Sequence, residues 1–355
     1  MTQIKESKSI ENPVVLITGG SGFLGKAIVD ELFHPSSSIK AKEIRVLDVK
    51  PFKGENENNI TFIHGDVQDY NLLNEASKGV DLMIHAAAII DWGTKDEKEV
   101  LSINFGGTEN ALRASRENGV KSFIYTSSLD AVYTGKPLVD VDESLDYPSK
   151  HVNSYCESKR LSEELVMQAN GPDLNTCILR PSDIYGEEDP YHIDSLIEMA
   201  KSGFYIRLGN GKSKCQHVYV RNMAHAHLLA GAALLRNDKK VSGNIYFITD
   251  GEACNFFTFF DRIVMEAGYK IWPKNLWLAK SIAYPMASIT EFGAKLFSPI
   301  KKFNVKFSRF AVDYTCTDFT FTADRAKQDF NYHAKYELEE AISRTSNYYK
   351  NRKNR

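Results

Sequence analysis

Long apolar runs are missing from this 355-residue chain. The stretch 276–300 comes nearest to one. It carries Trp277, Tyr284, Met286, Ile289, Phe292, Leu296 and Phe297, but Lys280, Pro285, Glu291 and Lys295 interrupt it. It therefore falls short of the ~18 uninterrupted apolar residues a membrane span needs. An excess of one charge is missing too. With 44 Lys+Arg against 46 Asp+Glu, the formal charge is −2, and no global field draws nucleic acid or an anionic membrane to the chain. Cysteine is scarce. Cys156, Cys177, Cys215, Cys254 and Cys316 form no CxxC pair and are odd in number, which speaks against a disulfide framework and for a reducing, cytoplasmic setting. His225 and His227 stand two apart on an expected helix (222–236) and do not face one another, so no metal site is expected. Residues 1–12 are polar and lack an apolar h-region. They read as a disordered lead-in with no secretory signal. Residues 346–355, rich in Lys and Arg, read as a solvated basic tail.

Against these absences stands a hydrophobic content of 43%, ample for a buried core in one large lobe plus a smaller one. The most informative stretch is Val14-Val15-Leu16-Ile17-Thr18-Gly19-Gly20-Ser21-Gly22-Phe23-Leu24-Gly25. A β-branched run stops at glycines three apart, and a helical pattern begins at once. That is a strand, a tight turn and a helix N-terminus, whose free amides suit a phosphate. Gly19 permits the turn. Gly22 lets a pyrophosphate approach the backbone beside Phe23 and Leu24, and Gly25 lets the helix lie close on the strand.

The pattern then repeats. Residues 44–49 read as a second strand, ending at Asp48. A dinucleotide fold places an acid there to accept hydrogen bonds from the adenosine ribose, and it repels a 2′-phosphate. NAD is thus expected over NADP, although Lys50 lies close by. Residues 60–67 form a third strand ending in Asp66 and Val67, at the adenine. Residues 81–88 form a fourth, ending in Ala86, Ala87 and Ala88, which leave room for a ligand along the backbone. His85 before them reads as structural. Residues 96–118 read as a helix with Asn104, Gly106 and Gly107 in its middle. Each glycine there costs roughly 1 kcal/mol, tolerable where a cofactor comes close at Asn104 or the helix kinks. Residues 121–128 form a fifth strand ending in hydroxyls, and residues 176–180 a sixth. Strands alternating with helices imply right-handed βαβ units and a doubly wound parallel sheet, with ligands at its carboxyl edge.

A reacting group follows. Tyr155 and Lys159, in Tyr155-Cys156-Glu157-Ser158-Lys159, open a helix running to about residue 170 and share one face of it. A phenol ionises near pH ~10, and a neighbouring ammonium favours the phenolate. Lys159 can also hold the nicotinamide ribose. A hydroxyl from Ser128, at the end of the neighbouring strand, completes a set able to take a proton from a secondary alcohol as hydride leaves its carbon.

These motifs, with Tyr125-Thr126-Ser127-Ser128 and Leu179-Arg180-Pro181-Ser182-Asp183-Ile184-Tyr185-Gly186, resemble the extended short-chain dehydrogenase/reductases. The block His217-Val218-Tyr219-Val220-Arg221-Asn222-Met223-Ala224-His225-Ala226-His227 resembles the 3β-hydroxysteroid dehydrogenase/isomerase branch, which includes sterol-4α-carboxylate 3-dehydrogenases. The resemblance covers roughly residues 13–250. It implies Tyr155 as proton acceptor, Lys159 as its partner, Ser128 (or Ser127) as ligand of the substrate oxygen and Pro181 beside the nicotinamide. The run from Leu129 to Gly135 is one residue longer than in sugar epimerases of this type, which counts against an epimerase.

The expected architecture is a Rossmann-type α/β domain over 13–190, with a returning part near 215–250. A smaller substrate lobe comes from 191–214 and 251–345. Glu187, Glu188 and Asp189 read as a solvated loop. An aromatic-rich helix starts near Cys254, and the apolar stretch 276–300 reads as a core-packing helix, a lid over an apolar, sterol-like substrate or an interfacial helix in peripheral membrane contact. A homodimer through helices 96–118 and 155–170 is what the family implies. The expected activity is oxidation of a 3β-hydroxyl. Two alternatives stay open: a nucleotide-sugar epimerase, dehydratase or dihydroflavonol-type reductase, for which Lys201, Arg207, Lys212 and Lys214 would meet a diphosphate, and a non-catalytic NAD(H)-binding protein.

Overall fold

The computed structural model describes residues 9–92, 95–297 and 307–354. Most of the expected lead-in (1–8) and the last part of the apolar stretch (298–300) lie outside the described residues.

A seven-stranded parallel sheet organises the chain. Its strands are β1 (Val14–Thr18), β2 (Glu43–Asp48), β3 (Thr61–His64), β4 (Leu82–His85), β5 (Ser122–Thr126), β6 (Asn175–Pro181) and β7 (Asn244–Ile248). The spatial order is β7-β6-β5-β4-β1-β2-β3, with every pair parallel. From β1 the chain winds out to β2 and β3, then returns to β4 on the other side. The crevice at such a reversal lies beyond the carboxyl ends of β1 and β4, where ligands of open α/β sheets bind.

Period-two alternation divides the core. Val15, Ile17, Ile44, Val46, Leu82 and Ile84 pack on one face, and Leu16, Leu47, Met83, Phe123 and Ile178 on the other. Helices α1 (Phe23–Phe33) and α6 (Val220–Leu235) cover the first face. The second is covered by α2 (Tyr70–Ala76), α3 and α4 (Ser154–Ala169). α3 is a continuous run of Glu97–Leu101, Ser102–Gly106 and Gly107–Glu117, and its middle segment is a π-turn. The expected break in regular geometry at Asn104 and its glycines is therefore a π-bulge, a form that concentrates at functional sites.

The remaining chain is mainly helical, and one of its helices, Asp324–Phe330, packs along β7 and α6. It contains α5 (Ile193–Lys201), α7 (Phe256–Glu266), α8 (Lys280–Phe297), α9 (Arg309–Thr315), α10 (Asp324–Phe330) and α11 (Leu338–Lys353). Two short parallel pairs tie it down: Asp183–Tyr185 with His217–Tyr219, and Leu138–Val141 with Phe319–Phe321.

Two expectations give way here. Residues 346–353 are not a frayed tail but the end of α11. Tyr349 is buried and its hydroxyl donates to the Asp189 carbonyl at 3.1 Å, while Arg352 pairs with Asp194. An apolar inner face holds a helix whatever its net charge, and cations in the last turn suit its dipole. Asp189 is likewise buried. It accepts the amides of Tyr191, His192 and Ile193 at 2.8–3.2 Å, heading α5.

One buried ion pair braces α4 against β6. Arg180 and Glu163 meet at 2.6 Å, both almost inaccessible. Glu163 stands one turn beyond Lys159. Glu163→Ala leaves the Arg180 charge buried alone, so a loss of about 3–5 kcal/mol in urea unfolding is expected. A loss below about 1 kcal/mol, the range of an exposed pair, would show the pair to be solvent-screened.

Candidate active site

The glycine turn sits at the reversal of strand order. Gly19 has φ +72°, and a Cβ on it would lie 2.7 Å from the Ala87 backbone at the end of β4. A side chain on Gly25 would meet the Gly19 carbonyl oxygen at 2.2 Å, so the first turn of α1 rests directly on the loop. Gly22 caps α1 with no side-chain bond, which leaves the helix-heading amides around Phe23, Leu24 and Gly25 facing the crevice. Asp48, at the end of β2, accepts the Ser21 amide at 3.0 Å through Oδ2 and the Lys50 amide at 2.9 Å through Oδ1, so it shapes the turn from below. Ala86 and Ala87 are anchored to Thr18 by their amides, and Ala88 continues that half-buried backbone. Asp66 lies two residues past β3 with its carboxylate on Gln68. Val67 beside it is buried against Gly107. This cradle fits a dinucleotide: backbone amides for the pyrophosphate, an acid at the second strand and small residues at the fourth. His85 is buried between Thr18 (2.7 Å) and Thr108 (3.2 Å), and burial lowers its pKa to about 3, which keeps it neutral and structural.

Ser128, Tyr155 and Lys159 come together just beyond β5. Asn153 caps α4 by accepting the Cys156 amide at 2.9 Å, which fixes where the helix starts and puts Tyr155 and Lys159 on its buried face. The Lys159 ammonium donates to the Thr126 carbonyl at 2.9 Å and stands 5.8 Å from the Tyr155 ring centroid. Burial pulls it down to about 8. Burial, and then the neighbouring Asp130 carboxylate, push the Tyr155 phenol well above its ordinary range, while a hydrogen bond with Ser128 works the other way. The two side chains share a face as expected, but the ammonium rests on a backbone carbonyl and not on the phenol. Ser127 is buried with its hydroxyl unpartnered, and Pro181 ends β6 beside this cluster.

Asn104 binds protein on every side. Its Oδ1 accepts the Ile89 amide at 2.8 Å, and its Nδ2 donates to the Ile89 carbonyl at 3.1 Å and to Ser158 Oγ at 3.0 Å. It fastens the loop after β4 to the helix of Tyr155 and Lys159.

Other residues here escaped the sequence reading. Asp130 accepts the Ser128 hydroxyl at 2.8 Å. Asp183, just past Pro181, accepts the Tyr314 hydroxyl at 2.6 Å, and its other oxygen lies 3.8 Å from His217 Nδ1. Asp183, Cys215 and His217 place a donor atom each within 4.8 Å of one another, close enough for a small ion as well as for hydrogen bonds to a substrate. His192 lies 3.4 Å from Asp189 and 3.9 Å from Asp183. Burial opposes its charge, but the two acids prevail and raise it to about 9. Phe259 stacks on His217 at 4.0 Å, Phe260 on His192 at 5.3 Å, and a cavity of about 260 Å³ opens between Tyr185, His217, Asp250, Cys254 and Phe259. The only advance signals were polar residues in an aromatic neighbourhood and an aspartate two places after Pro181.

The sheet and the cradle at its reversal define the class: a Rossmann-type, nicotinamide-dependent oxidoreductase acting on CH–OH groups. Residues 16–277 match the 3-beta hydroxysteroid dehydrogenase/isomerase family, and the chain belongs to that family. It is 30% identical, over 334 residues, to the mouse (Mus musculus) sterol-4-alpha-carboxylate 3-dehydrogenase, decarboxylating, across 93% of this chain and 89% of that one. It is 31% identical, over 349 residues, to a 3 beta-hydroxysteroid dehydrogenase/Delta 5→4-isomerase of Mycobacterium tuberculosis, across 94% and 90%. The fold is shared with a dTDP-glucose 4,6-dehydratase of Streptomyces venezuelae solved with NAD bound (TM-score 0.74, 20% identity, 96% of this chain and 98% of that one).

Gly25→Ala tests the cradle. Its Cβ forces the turn open, and dinucleotide affinity is expected to fall about tenfold or more, that is ~1.4 kcal/mol. Calorimetric titration with NAD reads this directly, and unchanged affinity would place the cofactor elsewhere.

Proposed function

We propose that this chain oxidises the 3β-hydroxyl of a steroid or sterol-like substrate with NAD. One observation carries the reading: in a member of this family, Ser128, Tyr155 and Lys159 are buried together at the sheet edge beside the glycine cradle. Tyr155 takes the hydroxyl proton, Ser128 holds the substrate oxygen, and the Lys159 charge favours the phenolate and binds the ribose. The nicotinamide, when bound, accepts the hydride. A substrate bearing a 4-carboxylate becomes a β-keto acid on oxidation and loses carbon dioxide with no further group required.

The dinucleotide contacts are Gly19, Gly22, Phe23, Leu24, Gly25, Asp48, Asp66, Val67, Ala86, Ala87, Ala88 and Pro181, with Asn104 positioning the site through Ile89 and Ser158. Asp48 selects NAD, since a 2′-phosphate would meet its carboxylate.

The nucleotide-sugar alternative loses support from Arg207. Its guanidinium pairs with buried Asp261 at 2.6 Å and donates to the Lys274 carbonyl, so it does not face a diphosphate. The dehydratase neighbour shares the fold alone. On the outside, α8 presents Ile282, Met286, Ile289 and Phe292 on one stripe, with Ile289 and Phe292 72% and 69% exposed. No helix among the described residues is long and apolar enough to cross a membrane. Contact of α8 with a bilayer surface is the use this stripe suits. Pairing of α3 and α4 with a second copy gives the homodimer, and the five free thiols suit a reducing cytoplasm.

Tyr155→Phe is expected to lower turnover of a 3β-hydroxysteroid by about 10²-fold or more and to leave NAD affinity unchanged. Full activity in that variant would refute the mechanism. For the cofactor, kcat/KM with NAD is expected to exceed that with NADP by about tenfold or more, ~1.4 kcal/mol in transition-state stabilisation. A preference for NADP would refute the role of Asp48. Assaying sterols and nucleotide sugars side by side, by NADH absorbance, separates the two substrate classes.

A further inference from the structure

A serine hydroxyl has one proton, so the group behind it decides whether it donates or accepts toward the reacting oxygen. Behind Ser128 stands Asp130. Ser128 Oγ donates to Asp130 Oδ2 at 2.8 Å and accepts the Asp130 amide at 3.2 Å, capping the short 3₁₀ turn Leu129–Val132. With its one proton committed to the carboxylate, the hydroxyl has only a lone pair to offer the neighbouring Tyr155 phenol. Tyr155, Ser128 and Asp130 thus form a row of exchangeable protons ending in a carboxyl, and in this row Ser128 acts on the substrate oxygen through the Tyr155 hydroxyl. The second oxygen of that carboxyl, Oδ1, is buried without a hydrogen-bond partner.

The row answers a difficulty in the dehydrogenase reading, on which this inference rests. A phenol pushed above its ordinary range by burial is a poor source of standing phenolate at neutral pH, and the Lys159 ammonium is bonded to Thr126. Along a row, Tyr155 can pass its proton on as it receives the substrate's, so little standing phenolate is needed.

We propose that Asp130 is the proton acceptor behind Ser128, a positioning residue that sets the pH dependence of the reaction. In oxidation the alcohol O–H breaks as a Tyr155 O–H forms. The former Tyr155 proton passes to Ser128 Oγ, and the former Ser128 proton passes to Asp130 Oδ2. The carbon's hydride goes to the nicotinamide and its C–O bond becomes C=O. Reduction reverses each transfer. Oxidation therefore requires ionised Asp130, and reduction requires it protonated.

The groups facing this carboxyl are Lys159, Tyr155 and Cys156 from α4, Asp183 past β6, His192 at the head of α5, Tyr133 beyond its own turn, and Tyr314 from α9. Burial raises its pKa. The Ser128 bond, Lys159 and His192 lower it, Asp183 raises it, and the balance lies at about 7. The kcat/KM for oxidation should rise with pH through about 7 and then level. That for reduction should fall through the same value.

Asp130→Asn keeps the size and the acceptor for Ser128 but cannot take a proton. Oxidation at pH ~8 should fall by about 10²-fold, and the limb near neutrality should vanish in both directions. Asp130→Glu should restore the limb. Without substrate or cofactor, carbon-13 NMR of labelled aspartates should show a carboxyl titrating near pH ~7 in the wild type. That signal should be absent in Asp130→Asn and shifted upward in Ser128→Ala, which loses the donor. A variant Asp130→Asn that keeps the wild-type pH profile, or a wild type with no such carboxyl signal, would overturn the relay. A wild type inactive on every alcohol would instead overturn the dehydrogenase reading, which is a different result from an active wild type matched by Asp130→Asn.

Discussion

The bond from the Lys159 ammonium to the Thr126 carbonyl, 2.9 Å long and out of contact with water, ties the reacting helix to the sheet. A charge in that position is costly unless it is hydrogen-bonded and balanced. The balance comes from Glu163, one turn further on, and from Asp130 across the site, both of which favour the charged form. Glu163 is in turn held by Arg180 on β6. Burial still brings Lys159 down to about 8. The same desolvation drives the Tyr155 phenol up and the Asp130 carboxyl to about 7. Desolvation thus brings Lys159 and Asp130 toward one another and moves the Tyr155 phenol away from both, so Tyr155 gives up a proton only as another arrives.

Positioning falls to groups that never reach a substrate. In α3 a π-turn gives up regular helical geometry around Asn104 and its two glycines, roughly 1 kcal/mol for each glycine. In return Asn104 makes three hydrogen bonds, two to the backbone of Ile89 and one to Ser158. Net contributions of about 0.5–1.5 kcal/mol each are of the same order as the helical penalty. The exchange is close to neutral for stability and joins three elements that frame the crevice. Asn153, as the cap of α4, does the same locally.

The features legible in the sequence were those set by short spacings. Gly19 to Gly25 lie within one strand–turn–helix, and the structure shows the close approaches that require glycine there. Tyr155 and Lys159 share a face because four residues make one helical turn. Even the irregularity in α3 could be read from the price of its glycines. What could not be read was what distant segments bring. Asp189 looked like part of an acidic surface loop until Tyr349, from the far end of the chain, covered it. Arg207 looked available until Asp261 was seen to hold it. The basic end looked frayed because charge was weighed and the buried face of α11 was not. Asp130 was passed over as one letter of a run, since its meaning comes from a hydroxyl two residues back and a phenol on another helix.

The same non-local packing constrains the substrate. Near Asp130 stand Asp183 and the imidazole of His192, which lies between Asp183 and buried Asp189, and Phe256, Phe259 and Phe260 pack around His192 and His217. Cations are present in the lobe, but the buried one, Arg207, is neutralised by Asp261. A diphosphate placed beside Asp183, whose pKa burial already raises, would have to be desolvated next to an acid. An uncharged ring system bearing one hydroxyl makes no such demand. Its apolar body matches the aromatic rings, and its oxygen needs only the hydroxyls of Ser128 and Tyr155. These features support the proposed reading of a neutral polycyclic alcohol over a nucleotide sugar, on grounds separate from any likeness between sequences.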